Sequence, residues 1–236
     1  MQQRCRQKSS PRNGSKRRRV VDNNISLKIA RTDEEIKDFQ RFLFDIYCLE
    51  LRWHDQSKFH DGIFADEHDS KSTFLLVYSK KEIIAGLRLV KDSESGFPHE
   101  NEISTKLPIL NKEVDLHIRE KISRIGRDRI REITRLVGKQ TIKRVLAVDL
   151  MKCLYWYGVY NRIDAYFMVV DMSLFLLCHK LHVPLAPVEI PKYCEGSWTI
   201  PAVMIPYDVQ VSLKEKNPEA WRYISDKSNL VGEWKE

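Results

Sequence analysis

The chain lacks both an apolar run long enough to cross a membrane and the cysteine spacings that are typical of disulfide or zinc frameworks. A spanning helix needs about 18 consecutive apolar residues, and the best candidate, residues 165–178, is interrupted by Asp171. The five cysteines are widely separated and form no Cys-x-x-Cys pair, which favours reduced thiols. We therefore expect a cytoplasmic protein without a transmembrane segment.

Acidic residues are absent from the first twenty positions, which carry eight Lys or Arg residues. Without these eight, the chain has 32 basic and 33 acidic residues, so the formal charge of +7 belongs to the N-terminal segment. This segment also has too few apolar residues to fold by burial. We expect a disordered basic tail over residues 1–24, and an arm that binds nucleic acid, anionic lipid or an acidic protein is the alternative.

The rest of the chain predicts one α/β domain, because strand and helix patterns alternate along it. Its hydrophobic content of 42% is enough for a core of ordinary size. A capping box at Thr32 opens the first helix, which we expect to end near Cys48. Strands are predicted at 25–29, 72–78, 83–90, 131–138, 163–170, 183–190 and 199–205, and helices at 141–159, 172–179 and from 218. The domain is placed at 25–210 and a C-terminal helix and tail at 211–236.

Residues 53–69 form a polar segment that is rich in histidine and acidic residues. Their spacing matches no compact zinc or calcium loop, so no metal site is expected. A mobile loop that covers a substrate is the interpretation we favour. In the strand that follows the next turn, Arg88 lies between two leucines. A charge at such a position must be paired or must face a wet cleft, because an isolated buried charge costs several kcal/mol.

The segment 131–139 contains the charges of greatest interest, Glu132 and Arg135. Residues three apart in a strand point to opposite faces, so either one of them is structural or the strand is distorted near Thr134. The surrounding residues 119–144 include ten Lys or Arg and three acids. This excess indicates a landing site for a phosphate-bearing or acidic partner, although a solvated face would show the same composition.

Four short motifs, in order over about residues 27–206, resemble the autoinducer synthases of the GNAT acyltransferase fold. The motifs are Tyr47-Cys48-x-Glu50 followed by Trp53, Asp66-x-x-Asp69, Gly86-Leu87-Arg88-Leu89 and Glu132-Ile133-Thr134-Arg135. They are most similar to long-chain N-acyl amino acid synthases and acyl-homoserine lactone synthases. Two positions depart from the family pattern: Leu43 replaces an Arg, with Arg41 two residues earlier, and Leu136 replaces a Phe.

The resemblance implies a GNAT-like domain with a mixed, mostly antiparallel sheet, flanking helices and a splayed central strand. It implies a monomeric, bacterial, cytoplasmic N-acyltransferase with no tightly bound cofactor. Its co-substrate would be the acyl-phosphopantetheine thioester of an acidic acyl carrier protein, and the acceptor would be a small amine or an amino acid. A long-chain acyl group is expected and no nucleic acid partner.

Three alternatives stay open. The first is an acyl-homoserine lactone synthase that uses S-adenosylmethionine, and the second is a CoA-dependent N-acetyltransferase. The second is disfavoured because residues 138–144 contain one Gly, whereas loops that cradle a pyrophosphate on backbone N–H groups are Gly-rich. The third is a noncatalytic module that binds through its basic tail.

The resemblance also assigns roles to individual residues. Acyl transfer requires a group that removes the amine proton and donors that stabilise an oxyanion. Glu132 is the candidate general base, or else an ion-pair partner of Arg88 or Arg135. The substrate-binding candidates are Trp53, Asp66, Asp69, Arg88 and Arg135, with the two aspartates expected to anchor the loop through salt bridges. The acyl-pocket candidates are Met151, Leu154, Trp156 and Phe167, which as an apolar pattern are indistinguishable from ordinary core. The carrier-docking candidates are Arg119, Arg124, Arg127, Lys139, Lys143 and Arg144.

Overall fold

The computed structural model describes residues 25–59, 61–94, 96–99, 118, 120–139, 143–194 and 196–236. The predicted tail at 1–24 and the docking candidate Arg119 lie outside these ranges. The side chains of Lys143 and Arg144 also lie outside what is described.

The described residues form one mixed sheet of eight strands with the order β1-β2-β3-β4-β5-β8-β6, in which β7 pairs with β8. Strands β4 and β5 are parallel and the other described pairs are antiparallel, which confirms the predicted fold class. The strands are β1 Ile25–Ile29, β2 Ser72–Ser79, β3 Glu82–Val90, β4 Ile130–Gly138, β5 Ala165–Asp171, β6 Ala186–Pro187, β7 Lys192–Cys194 and β8 Ser197–Met204.

The strand predicted at 183–190 is wrong in extent, since only Ala186–Pro187 pairs with β8. Pro184, Pro187 and Pro191 lie in or beside this stretch. Proline cannot donate a backbone hydrogen bond to a neighbouring strand, so the segment follows the sheet edge without forming a longer ladder.

Five α-helices are described: α1 Asp33–Phe44, α2 Lys143–Asn161, α3 Met172–Lys180, α4 Pro206–Lys216 and α5 Pro218–Ser225. The capping box predicted at Thr32 is confirmed, because Glu35 N donates to Thr32 Oγ1 at 3.2 Å and the Glu35 carboxylate accepts from Thr32 N. The α-helix ends at Phe44 and continues as a π-helical turn, Asp45–Glu50, so the first helix is shorter than predicted. The boundary predicted at residue 210 falls inside α4.

The two faces of the sheet carry separate apolar clusters. Helix α2 packs on one face, against β1, β2 and β3, and α5 packs on its outer side. Helix α1 covers the other face, where Phe39 lies against Gly86 of β3. A Cβ at Gly86 would be 2.5 Å from Phe39 Cε2, so the glycine permits this close approach. No helix among the described residues is long and apolar enough to cross a membrane.

Candidate active site

The central strands β4 and β5 separate and leave a cleft. Their parallel pairing runs from Ile130 opposite Ala165 to Ile133 opposite Met168 and ends there. Beyond this point β4 continues to Gly138 and β5 to Asp171 without pairing to each other. The predicted splay of the central strand near Thr134 is therefore confirmed. A cavity of about 390 Å³, called the first cavity here, lies at this opening.

A bulge in β4 resolves the conflict between Glu132 and Arg135. The register with β3 shifts between Gly86 and Arg88, so that two residues of β4 lie opposite one of β3. Arg135 has a positive φ of 51°, a left-handed conformation that is uncommon for residues other than glycine. Because the bulge inserts one residue, Arg135 points to the same face as Glu132. The distortion predicted for this strand is confirmed.

Two arginines and two aspartates form an ion-pair network on this face. Arg88 Nη1 contacts both Asp66 Oδ1 and Asp69 Oδ1, and Arg88 Nε donates to Thr134 Oγ1 at 2.8 Å. Arg135 Nη2 donates to Asp66 Oδ2 at 2.9 Å. The loop at 53–69 is thus attached to β3 and β4 through Asp66 and Asp69.

Asp66 and Arg88 are held in their charged forms. Burial opposes ionisation of Asp66, but hydrogen bonds from Arg88 and Arg135 outweigh it and place the pKa of this carboxyl well below its usual value. Burial likewise favours loss of the proton from Arg88, whereas its contacts with Asp66 and Asp69 raise the pKa of the guanidinium. Arg135 also lies over the ring of Phe64, 4.4 Å from its centroid. Two positive and two negative charges therefore balance in a largely buried setting.

Glu132 lies beside the network and is bound by His99. The Glu132 side chain is fully buried. His99 Nδ1 contacts Glu132 Oε1, and the His99 backbone N–H donates to Oε2 at 3.1 Å. The structure therefore places Glu132 on the face of the candidate site, paired with a histidine and not with Arg88 or Arg135.

The first cavity has an aromatic wall formed by Tyr47 and Trp53, whose rings stack with centroids 5.7 Å apart. Gly196, in the turn between β7 and β8, lies against Trp53, so a Cβ there would be 2.4 Å from the indole. Other parts of the lining come from Arg88, Arg135 and residues 168–171 of β5. Trp53 thus lines the cavity together with both predicted arginines.

A second cavity, also of about 390 Å³, adjoins the first. The two share part of their lining, including Tyr47, Trp53 and Leu136. The second cavity extends past Gly138 towards Leu150 of α2 and Leu177 of α3, and its lining is mostly apolar. A narrow apolar space of about 20 Å³ lies under the splay, against α2 and α3. The site therefore joins a polar chamber to apolar space between the splayed strands.

The four acyl-pocket candidates are not brought together. Met151 lines the narrow apolar space and neither of the two larger cavities, as the described residues define them. Leu154 and Trp156 are core residues of α2, and Trp156 Nε1 donates to Ile224 O of α5 at 3.0 Å. Phe167 packs on Phe97 with ring centroids 5.6 Å apart.

The described docking candidates are each paired with an acid. Arg124 contacts Glu120, and Lys139 contacts Glu82. Arg127 binds Asp92 through Nε and Nη2.

Sequence reasoning missed two residues of the site. His99 lies in an irregular segment without a sequence motif, and only its contact with Glu132 in the folded chain shows that it belongs to the site. Gln40 of α1 is buried and donates from Nε2 to Asp69 Oδ2 at 2.7 Å, and its place on the inner side of α1 was the available signal. Arg41, considered as the replacement for the arginine missing at Leu43, is half exposed and pairs with Glu34 and Asp38. Gln40 is therefore the polar residue of α1 that reaches the network.

Comparison with known proteins gives relatives in structure alone. No family model matches the chain, and no curated protein matches its sequence. The acyl-homoserine lactone synthase BjaI, described as CoA-dependent, superposes with a TM-score of 0.63 at 15% identity, covering 89% of this chain and 93% of its own. LasI, another such synthase, has a TM-score of 0.59 at 11% identity, covering 81% and 95%. FeeM, an N-acyl amino acid synthase from uncultured soil microbes, has a TM-score of 0.55 at 11% identity, covering 80% and 94%. The fold of this chain is therefore that of the GNAT-like acyl-homoserine lactone synthases, as the sequence motifs suggested.

Proposed function

We propose that the protein is an N-acyltransferase that moves an acyl group from a thioester to the nitrogen of a small amine. The observation that carries this proposal is the polar first cavity joined to the apolar second cavity at the open end of β4 and β5, with Glu132 beside it. Structural neighbours with the same fold are acyl-homoserine lactone synthases and an N-acyl amino acid synthase. The fold tolerates several functions, so the site carries the argument.

The reaction has three requirements, namely removal of a proton, stabilisation of an oxyanion and binding of the acceptor, and the site offers a group for each. The acceptor amine must lose a proton, for which the site offers the paired side chains of Glu132 and His99. The thioester oxygen gains negative charge, and β4 beyond Ile133 has backbone groups that pair with no described strand on the side of the splay. The acceptor must be held, and Arg135 lines the first cavity with its Nη2 bound to Asp66. Its other N–H groups suit the carboxylate of an amino acid.

The second cavity suits the arm of a thioester donor, because it runs from the splay to the N-terminal part of α2 along apolar side chains. We propose an acyl carrier protein as the donor, supported by the excess of basic residues over 119–144. The second candidate donor is acyl-CoA, supported by the likeness to BjaI. The proposed acceptor is an amino acid, and S-adenosylmethionine is the acceptor in the sibling reaction of a lactone synthase.

The experiment that tests the function supplies the purified protein with acyl-carrier-protein and acyl-CoA donors, each with amino acids or S-adenosylmethionine. Release of free thiol measures transfer, and mass spectrometry identifies the product. An N-acyl amino acid would support the proposal, an acyl lactone would move it to the sibling reaction, and no thiol release with any pair would refute it.

For the role of Glu132, we expect Glu132→Gln to lower kcat by about 100-fold or more, since acid–base groups contribute 10²–10⁴. Circular dichroism should show an unchanged fold. The control is Glu215→Gln, which changes an exposed glutamate of α4 remote from both cavities. Equal rates for the two variants would exclude Glu132 from the chemistry.

A further inference from the structure

Glu132 and the first cavity are separated by a side chain. Glu132 does not line this cavity, as far as the described residues define it, whereas His99 does. Both carboxylate oxygens of Glu132 are already bound by His99, through Nδ1 and through the backbone N–H. The His99 side chain is 39% exposed while that of Glu132 is fully buried. An imidazole therefore stands between the buried carboxylate and the space where an amine would lie.

The contact with Glu132 fixes how the imidazole carries its proton. An ionised carboxylate accepts hydrogen bonds and cannot donate them, so with Glu132 ionised His99 Nδ1 carries the proton that the two share. In the neutral ring the other nitrogen, Nε2, then has the lone pair. A carboxylate that binds one ring nitrogen of a histidine in this way sets both the tautomer and the orientation of the ring. The pair has the arrangement of a base and the group that orients it.

We infer that His99 is the catalytic base of the acyl transfer and that Glu132 is a positioning residue that acts through it. His99 Nε2 takes a proton from the acceptor ammonium, and the amine nitrogen then attacks the thioester carbonyl carbon. The C–S bond breaks as the amide bond forms. His99 has by then released the first proton to solvent, so it takes the second proton from the attacking nitrogen and passes it to the departing sulfur. Ammonium and thioester thus become amide, thiol and one released proton.

This inference rests on the proposed function, and one observation and one general principle support it. The imidazole, not the carboxylate, is in contact with the cavity. A neutral imidazole is also the side chain whose basicity is best matched to proton transfer near neutral pH.

The test compares His99→Asn with wild type in the thiol-release assay. Asparagine can place an N–H donor where His99 Nδ1 lies, which keeps the contact with Glu132 and removes Nε2. We expect kcat to fall by about 100-fold or more with little change in KM. The double variant with Glu132→Gln should be no slower than His99→Asn alone, because both residues act through one proton transfer. His179→Asn, which alters an exposed residue at the end of α3, is the matched control.

Chemical rescue separates a catalytic role from a structural one. In His99→Gly, added imidazole should restore thiol release in proportion to its concentration, which a residue needed only for packing would not show. Near wild-type turnover in His99→Asn, or no rescue in His99→Gly, would overturn the role of His99 and leave acyl transfer itself standing. An absence of turnover in the wild-type chain would overturn both proposals.

Discussion

At the scale of single residues, Asp66 is the carboxylate that joins both arginines of the site. One of its oxygens contacts Arg88 and accepts from the backbone N–H of His68, while the other accepts from Arg135. The Arg88 side chain is almost completely buried. An arginine in such a place depends on its partners, since removing one partner of a buried pair leaves an uncompensated charge.

We expect Asp66→Asn to lower the free energy of unfolding by about 3 kcal/mol at pH 7, the typical cost of breaking a buried pair. The cost should be at the lower end of the range, because Asp69 still contacts Arg88. Urea unfolding followed by circular dichroism measures the difference. Asp61→Asn, at an exposed position in the same loop, should leave the midpoint unchanged. Equal midpoints for both variants would contradict the structural role of Asp66.

The pH dependence of this difference has a defined sign. The pKa of Asp66 is depressed in the folded state, so its contribution is complete above the unfolded value of about 4 and declines as the pH falls towards the folded value. The free energy of unfolding of wild type should thus exceed that of Asp66→Asn by the full amount at pH 5 to 7. The difference should be smaller at pH 3. An advantage that grows on acidification would be inconsistent with these ion pairs.

At the scale of elements, the site depends on how α1 lies on β3. Phe39 of α1 packs directly on Gly86, next to the position where the register of β3 and β4 shifts. The space is closed on three sides, because a Cβ at Gly86 would also lie 3.0 Å from Leu75 O and 3.1 Å from Leu76 Cδ2. Phe39 is fully buried and cannot move aside easily.

We expect Gly86→Ala to lower the free energy of unfolding by about 1 to 3 kcal/mol, as for overpacking of other cores. Thermal unfolding by calorimetry measures it. Gly126→Ala is the control, because there a Cβ would meet the movable end of Asp128 and the backbone φ of −62° suits alanine. A Gly86→Ala variant as stable as this control would show that α1 can lift from the sheet at little cost.

At the scale of the whole molecule, the last residues described tie distant parts of the sheet together. Leu27 N donates to Asn229 O and Val231 N donates to Leu27 O, both at 2.9 Å. Trp234 is buried in the cluster around α2. Residues 211–236 are thus packed on the domain that was predicted to end at residue 210.

Glu236 attaches this C-terminal segment to the sheet and to α2 through its carboxylate. Its carboxylate accepts from Thr73 Oγ1 at 2.6 Å and from Arg131 Nη2 at 3.3 Å, and it contacts Lys91 Nζ at 2.7 Å and the hydroxyl of Tyr157. Burial opposes its ionisation, but these partners lower the pKa of Glu236 to about 2. Arg131 adjoins Glu132 in β4, so this contact supports the strand that carries the site.

We expect Glu236→Gln to lower the free energy of unfolding by roughly 1 kcal/mol at pH 7, since hydrogen bonds to charged groups exceed exposed ion pairs in strength. The difference in unfolding free energy should have its full size above the pKa of Glu236 in the unfolded chain, about 4.3. It should become smaller as the pH falls towards the folded pKa of about 2. Urea titrations at pH 7 and pH 3 measure both effects. Glu233→Gln, at an exposed position, should match wild type at each pH, and an equal loss there would refute the assignment.

Local chemistry was readable from the sequence where neighbours in the chain decide the structure. The capping box at Thr32 acts within one helical turn, and the alternation of apolar residues marks the strands. Arg88 was recognised as a charge that required partners because burial of an isolated charge is costly. The spacing of Glu132 and Arg135 left two options, a structural role for one of them or a distorted strand, and the bulge at Arg135 is that distortion.

The tertiary structure decided which distant groups meet. His99 and Glu132 are 33 positions apart and lie on different segments, so no local pattern connects them. The helical periodicity that marked Leu154 and Trp156 as apolar could not tell a cavity wall from a packed core. The sequence determined most of the elements, because those depend on short-range propensity and hydrogen bonding. The site was decided by the tertiary structure, because the cleft opens where the pairing of β4 and β5 ends, at Ile133 opposite Met168.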